Sequence, residues 1–128
     1  MAGLTHVEEY LINLGLSYQE IAPLTWLVED QEKGLPQMVV SLAEPVVFIR
    51  ADIMPSPKND REGFFAELLK LNGDSLLHGA YALDGDEVVL VDTLEYEGMD
   101  QNEFLASLEA IGLALAENHD TLARFKQN

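Results

Sequence analysis

Three histidines, His6, His78 and His119, are the side chains best suited to catalysis or metal binding in this sequence. They lie far apart and share no ligand spacing, so we interpret each as a surface or strand residue. The sequence contains no cysteine, which excludes disulfides, thiolate metal sites and thiol nucleophiles. The motifs of phosphate-binding loops, serine hydrolases and zinc proteases are absent as well. We therefore predict no catalytic residue, no metal site and no cofactor.

Acidic residues around Asp84-Gly85-Asp86 offer a second possible site. Together with Glu95 they take positions one, three and twelve of a calcium-binding loop. Val88 and Val89 then take positions five and six, where such a loop needs an oxygen ligand and a glycine. The calcium interpretation is rejected for this reason.

Asp92 is the remaining acidic residue of interest, because strand alternation points it toward the core. A buried carboxylate without a partner is costly. Asp92 is therefore expected at a frayed edge or hydrogen-bonded to backbone donors, and a structural role is favoured over a catalytic one.

A predicted hairpin that turns at Asp84-Gly85 positions these acidic residues, with either Asp84-Gly85 or Gly85-Asp86 as its central pair. Residues 77–83 are expected to pair antiparallel with residues 87–96. Strand alternation places one set on the core face: Leu77, Tyr81, Leu83, Val88, Leu90, Leu94 and Tyr96. The other face carries His78, Ala80, Ala82, Val89, Val91 and Thr93. That second face is too apolar to be fully solvated, so either a helix of the same chain or a twofold partner is expected to cover it.

Three helices are predicted around the strands. A capping box at Thr5–Glu8 begins the first helix, which ends near Gly15. Asp60 is a suitable N-cap for a second helix that ends at Asn72-Gly73. A second capping box at Asp100–Glu103 begins the last helix. The second helix has an apolar arc wider than one sheet contact requires, made of Phe64, Phe65, Leu68, Leu69 and Leu71.

Three strands are predicted between the first two helices, at residues 25–30, 37–42 and 46–54. The predicted turns Gly34-Leu35-Pro36 and Ala43-Glu44-Pro45 separate them. A polar link through Tyr18, Gln19 and Glu20 precedes the first of these strands. The predicted order is therefore α-β-β-β-α-β-β-α, an α+β fold with an antiparallel sheet.

Length and charge limit the possible functions. The chain has 128 residues, which suits one domain spanning 1–128. Seven Lys and Arg residues against 23 Asp and Glu residues give a formal charge of −16, which disfavours nucleic acid and anionic membranes as partners. No apolar run approaches the roughly 20 residues of a membrane helix, and no signal peptide is recognisable. A cytoplasmic location is the expectation.

The second half of the chain carries a family resemblance. Its residues are Leu68-Leu69-Lys70-Leu71-Asn72, Gly79, Ala82-Leu83-Asp84, Leu94, Met99-Asp100, Phe104, Leu105 and Leu108. With the order of elements, they resemble the class I type III secretion chaperones and their relatives, the YbjN-like proteins. The resemblance implies a small bacterial cytoplasmic homodimer without catalysis. In the chaperone branch, it implies that exposed apolar patches hold an extended segment of a secreted protein.

Three functional hypotheses remain open at this stage. The first is a homodimeric YbjN-like protein with a protein-binding or regulatory role, and the second is a secretion-type chaperone for a client protein. The third is a small-molecule binder or enzyme that uses acidic residues with Tyr81 or Tyr96. Dimer or partner contacts are expected at Phe64, Ala80, Ala82, Val89 and Val91, and a client-binding patch at Trp26, Met38 and Phe48.

Overall fold

A computed structural model describes residues 3–74, 76 and 78–126 of the chain. Its helices are α1 (His6–Asn13), α2 (Arg61–Asp74) and α3 (Gln101–Ala123), with a short 3-10 turn at Gln31–Lys33. Its strands are β1 (Tyr18–Ala22), β2 (Thr25–Asp30), β3 (Leu35–Ala43), β4 (Val46–Pro55), β5 (Ala80–Asp84) and β6 (Glu87–Glu95). They form one antiparallel sheet in the order β1-β2-β3-β4-β6-β5. The predicted α+β class is confirmed.

Strand β1 is one strand more than the sequence predicted. The segment Tyr18–Ala22, interpreted as a polar link, pairs with β2 at the edge of the sheet. All five of its residues are exposed, so no face is selected for apolar residues and the usual alternation is missing. This is why the pattern did not indicate a strand.

Pro36 lies inside β3, although the sequence placed it in a turn. Of the three residues predicted for this turn, Gly34 does lie in it, with a left-handed φ of 73°, whereas Leu35 and Pro36 belong to β3. Pairing between β2 and β3 shifts register between Val28↔Met38 and Asp30↔Leu35, so Pro36 sits at an irregularity of the ladder. A proline without an N–H donor is tolerated at such a position.

The predicted hairpin is present, with Asp84 paired to Glu87 and Gly85-Asp86 as its central residues. Gly85 has a φ of 61°, as a tight hairpin turn requires. Tyr81 pairs with Leu90 and Leu83 with Val88, so these four residues share one face as predicted. Tyr81, Val88 and Leu90 are buried there, but Leu83, beside the turn, is 49% exposed and lies outside the core. The expectation for Leu77 lies outside the described residues.

All three helices pack on one face of the sheet, which we call the inner face. The largest fully buried side chains include Trp26 of β2, Phe64 of α2 and Phe104 of α3. The Tyr10 and Phe104 rings lie 5.9 Å apart and join α1 to α3. Both predicted capping boxes are formed, at Thr5 and at Asp100. These contacts place the hydrophobic core between the helices and the inner face.

Helix α2 continues beyond its predicted end. Asn72 and Gly73 are helical, and α2 ends at Asp74. The Asn72 side chain is hydrogen-bonded to the backbone of Tyr81 in β5. This tertiary contact gives Asn72 a structural role that its tendency to end helices did not indicate.

Candidate protein-binding surface

The face of the sheet opposite the core, which we call the outer face, is the candidate functional surface. Strand pairing places the following residues on it: Leu27, Val39, Ser41, Phe48, Arg50, Asp52, Ala80, Ala82, Val89, Val91 and Thr93. None of them belongs to the hydrophobic cluster to which all three helices contribute, although Val89 is 2% exposed. The outer face is therefore separate from the core and lies across β2, β3, β4, β6 and β5.

Phe48 provides an aromatic group near the middle of the outer face. It lies on β4 opposite Ser41 of β3 and Thr93 of β6. Its side chain is 47% exposed, whereas Val39 and Val91 in the next row are half-buried. An exposed aromatic ring among apolar and hydroxyl side chains is a typical anchor for a protein partner.

Arg50 crosses the outer face through two ion pairs. Its Nε lies 2.8 Å from Asp52 Oδ1 on β4, and its Nη1 lies 2.7 Å from Asp84 Oδ2 on β5. Because β6 lies between β4 and β5, this bridge spans β6. Val89 of β6 is opposite Asp52 and is only 2% exposed. The hydrogen bonds that Arg50 donates to Asp84 and Asp52 raise the pKa of Arg50, which keeps the guanidinium charged.

Strand β1 gives the sheet an edge with exposed side chains. It pairs only with β2, and it carries Tyr18 at 38% exposure and Ile21 at 49%. Leu24, in the turn to β2, is 44% exposed. An edge strand presents backbone donors and acceptors to which an extended segment can add.

The expected partner residues do not all lie on the surface. Ala80, Ala82 and Val91 are half-buried on the outer face and lie together, because Ala80 pairs with Val91. Val89 lies there as well, beneath the Arg50 bridge. Phe64 is fully buried, and its ring meets that of Phe125 edge-on at 5.1 Å. Phe64 therefore belongs to the core and does not lie on the surface as the expected partner contact.

The expected client patch is divided between the two faces of the sheet. Phe48 is exposed on the outer face, but Trp26 and Met38 are buried on the inner face, at 0% and 1% exposure. Trp26 and Met38 therefore belong to the core and not to the expected client patch. Met38, Val39 and Val40 are consecutive apolar residues, so alternation alone could not show which of them faces the core.

Several residues of this surface were not predicted. Arg50, Leu27 and Val39 belong to the outer face, and Ile21 belongs to the β1 edge. The only signal in the sequence was the Phe48-x-Arg50-x-Asp52 alternation, which places an aromatic residue and two opposite charges on one side of a strand.

Asp92 is half-buried, and its carboxylate accepts two hydrogen bonds. It accepts a hydrogen bond from the Thr93 N–H at 2.9 Å and another from the Ser107 hydroxyl at 2.5 Å. The expected backbone donor is present, and Ser107 adds a side-chain donor from α3. Asp92 therefore ties β6 to α3.

The other polar residues of interest lie apart from one another. His6 stacks on Tyr96 at 5.2 Å, and His119 is an exposed neighbour of Asp120. A groove between the start of β3 and α3, lined in part by Pro36 and Leu115, contains neither Tyr81 nor Tyr96. Within the described residues, no group of three His, Asp or Glu side chains is placed to hold a metal. No helix of this described part is long and apolar enough for membrane crossing.

Comparison with known proteins identifies related sequences and structures. A family model described as CesT_Tir_1 matches residues 2–128. A search of curated proteins gives no match. Among solved structures, the chain is similar to YbjN from E. coli, with a TM-score of 0.70 and 19% identity over 94% of this chain and 93% of that chain.

Two further structures come from secretion systems. One is a chain of the heterodimeric ExoU–SpcU complex from the type III secretion system of Pseudomonas aeruginosa, with a TM-score of 0.69 and 20% identity over 93% of this chain and 96% of that chain. The other is the Yersinia pestis type III secretion chaperone SycH with a stable fragment of YscM2, with a TM-score of 0.51 and 21% identity over 94% and 96%. These likenesses confirm the fold and the resemblance found in the sequence.

Proposed function

The chain belongs to the CesT_Tir_1 family, and we propose that it binds proteins through the outer face of its sheet and has no catalytic role. The observation that carries this proposal is the half-exposed Phe48 on the outer face, with the apolar side chains of Val39 and Val91 in the next row and all three outside the core. Covering the exposed half of such a ring contributes about 1 kcal/mol. Two similar structures support the proposal, since both were solved as complexes with another protein.

The partner that we propose for one end of the outer face is a second copy of the chain. Ala80, Ala82 and Val91 lie side by side there. Their small or branched side chains would let a second sheet approach closely beside the ion pair between Arg50 and Asp84. This homodimer would be formed by residues 1–128 acting as one domain, because helices at both ends of the sequence share one core.

A secretion-type chaperone is the second candidate function, and strand β1 favours it. All residues of β1 are exposed at a sheet edge, so an extended client segment could add to it by backbone hydrogen bonds. The formal charge of −16 would attract a client segment rich in Lys and Arg. In this version the client would contact Ile21 beside its added strand.

Affinity capture from the protein's own cells tests the binding function. The tagged chain is compared with Phe48→Glu and with Leu113→Glu, a control at a 52% exposed position on α3. We expect a stoichiometric partner with the unmodified chain and with Leu113→Glu, and its loss with Phe48→Glu. Equal retention by all three would contradict a role for the outer face.

Amide hydrogen exchange of the captured complex separates the two candidates. An extended client added to β1 slows exchange within Tyr18–Ala22. A partner on the outer face alone leaves exchange in β1 unchanged and protects β5 and β6. Absence of any bound protein, in cells that express the chain at its natural level, would remove both.

A further inference from the structure

A side chain forms hydrogen bonds with the backbone at the β5 edge of the sheet. Asn72 Oδ1 accepts a hydrogen bond from the Tyr81 N–H at 2.7 Å, and Asn72 Nδ2 donates one to the Tyr81 carbonyl at 3.2 Å. A side-chain amide carries the same donor and acceptor as a peptide group. Asn72 therefore makes the two bonds that one residue of a neighbouring strand would make.

Hairpin geometry shows how much of the edge Asn72 occupies. In a two-residue hairpin the closing pair, here Asp84 and Glu87, is hydrogen-bonded, and bonded residues then alternate along each strand. Ala80 and Ala82 consequently bond to β6, whereas Tyr81 and Leu83 turn their backbone groups outward. Asn72 engages one of the two outward residues of β5.

We propose that Asn72 prevents the β5 edge from pairing with the β5 edge of a second copy of the chain. Two such edges are self-complementary when they are antiparallel and centred on Ala82, because Tyr81 of each copy then bonds Leu83 of the other. With Tyr81 engaged, neither bonded pair of this register can form. The proposal concerns the edge of the sheet and does not depend on partner binding by the outer face.

The position of α2 keeps the amide in place. Asn72 meets Tyr81 near the end of α2, and Arg61 at its start forms an ion pair with Asp86, 3.1 Å apart, beyond the other end of β5. These two contacts align α2 antiparallel to β5. The Asn72 amide is thus presented to the edge by an element attached at both ends.

Disulfide trapping tests the proposal, since the chain has no cysteine of its own. Ala82→Cys places one thiol at the centre of the self-complementary register. Opposite residues there form a non-hydrogen-bonded pair with Cα atoms about 4.5 Å apart, within the range of a disulfide. The rate of cross-linking is measured for Ala82→Cys alone and combined with Asn72→Ala or with Asn102→Ala, an exposed control asparagine on α3.

We expect Asn72→Ala to raise the cross-linking rate several-fold and Asn102→Ala to leave it unchanged. Light scattering without the added cysteine should also show a larger mass for Asn72→Ala than for the unmodified chain or Asn102→Ala at the same concentration. Alanine favours the helix more than asparagine does, so Asn72→Ala should not weaken α2. Asn72→Asp serves as a second variant, because it keeps the side-chain acceptor but lacks the donor. No rise in cross-linking with either variant would overturn the proposal.

Discussion

Tyr81 is the residue at which β5, α2 and α3 meet. Its backbone is bonded to Asn72 of α2, and its hydroxyl accepts a hydrogen bond from Asn118 Nδ2 of α3 at 2.8 Å. Asn118 itself is 5% exposed. The Tyr81 hydroxyl therefore gives the buried Asn118 amide a hydrogen-bond acceptor.

Replacing Tyr81 by Phe removes that acceptor and keeps the ring. We expect a loss of about 1–2 kcal/mol in the free energy of unfolding, because a buried donor loses its partner. Urea denaturation at pH 7 measures the loss. Tyr18→Phe, at an exposed tyrosine, serves as the control and should change stability by less than about 0.5 kcal/mol.

The same tyrosine makes stability depend on pH in the alkaline range. Burial raises the pKa of Tyr81 above 10.0, and the Asn118 hydrogen bond opposes part of the rise. The folded protein therefore keeps the phenol protonated at pH values where the unfolded chain has lost the proton. The contribution is complete below about pH 10 and is lost as pH rises through the folded pKa.

Unfolding free energies measured between pH 8 and pH 11, a range of about three units around the tyrosine pKa, test this expectation. Tyr81→Phe should show a shallower alkaline decline than the unmodified chain. Part of the slope will persist, because burial and the charge of Asp100 raise the pKa of Tyr10 as well. Identical slopes for the two proteins would contradict the assignment to Tyr81.

At the scale of single residues, the sequence predicted what depends on local pattern. Alternation was enough to direct Asp92 to the core and Val91 to the opposite face. The roles of Asn72 and Asn118 could not be predicted, since an amide side chain finds its partner only when distant elements are packed. The Arg50 bridge has the same origin, because it joins strands on both sides of β6.

Helix α3 approaches the loop before β3 through a glycine. A Cβ atom added at Gly112 would lie 2.7 Å from the Gly34 carbonyl oxygen, which is shorter than real contacts of this kind. Gly73 in α2 offers the opposite case, because a Cβ there would have no neighbour within 4 Å. Both glycines lie in helices, but only Gly112 is in close contact with another part of the chain.

Alanine at these two glycines should change stability in opposite directions. Gly73→Ala is expected to stabilise the protein by up to about 1 kcal/mol, from helix propensity alone. Gly112→Ala gains the same propensity but must displace α3 or the loop, so we expect net destabilisation. Thermal unfolding of both variants measures the difference. Stabilisation by Gly112→Ala would contradict the close approach of α3 to the Gly34 carbonyl.

At the scale of elements, long periodic segments were predicted and edge segments were not. The three helices follow from capping boxes and apolar stripes, whose signals are local. Strand β1 carries no such signal because both of its faces meet water. The burial of Trp26 depends on which face of β2 meets the helices, and this is decided by the whole sheet.

The two faces of β6 should respond differently to charge. Leu90 is fully buried on the inner face, whereas Val91 is half-buried on the outer face. We expect Leu90→Glu to abolish cooperative unfolding, since an unpaired carboxylate enters the core. Val91→Glu should stay folded and show a smaller mass by light scattering than the unmodified chain, if the proposed homodimer forms.

Circular dichroism shows which of Leu90→Glu and Val91→Glu is folded before the mass is measured. Val89→Glu is a less clear probe of the dimer than Val91→Glu, because Val89 is 2% exposed and lies beneath the Arg50 bridge. A monomer mass for the unmodified chain at tens of micromolar would contradict the homodimer. It would leave the prediction for Leu90 unaffected.

The negative charge of the whole molecule should make its stability rise with salt. A formal charge of −16 produces repulsion that favours expanded states. Raising the ionic strength from about 0.01 M to 0.15 M shortens the screening length from about 30 Å to about 8 Å. We expect a higher urea midpoint at the higher salt at pH 7, and a much smaller effect near pH 4, where about half of the carboxylates are neutral.

At the scale of the molecule, composition and element order predicted the fold class, because few arrangements bury such helices on such strands. They could not specify the order β4-β6-β5. That order inserts the last strand between two earlier ones, and it depends on contacts between distant parts of the chain.

The placement of β6 also has a consequence for how the chain folds. Strands β1 to β4 pair with their neighbours in sequence, and so do β5 and β6, but the β4–β6 contact joins Val46 to Glu95. Forming it closes a long loop, which is slow compared with hairpin formation. During synthesis β4 remains an open edge until β6 has left the ribosome. We therefore expect the closing of this seam to limit the folding rate, after both local groups of strands have formed.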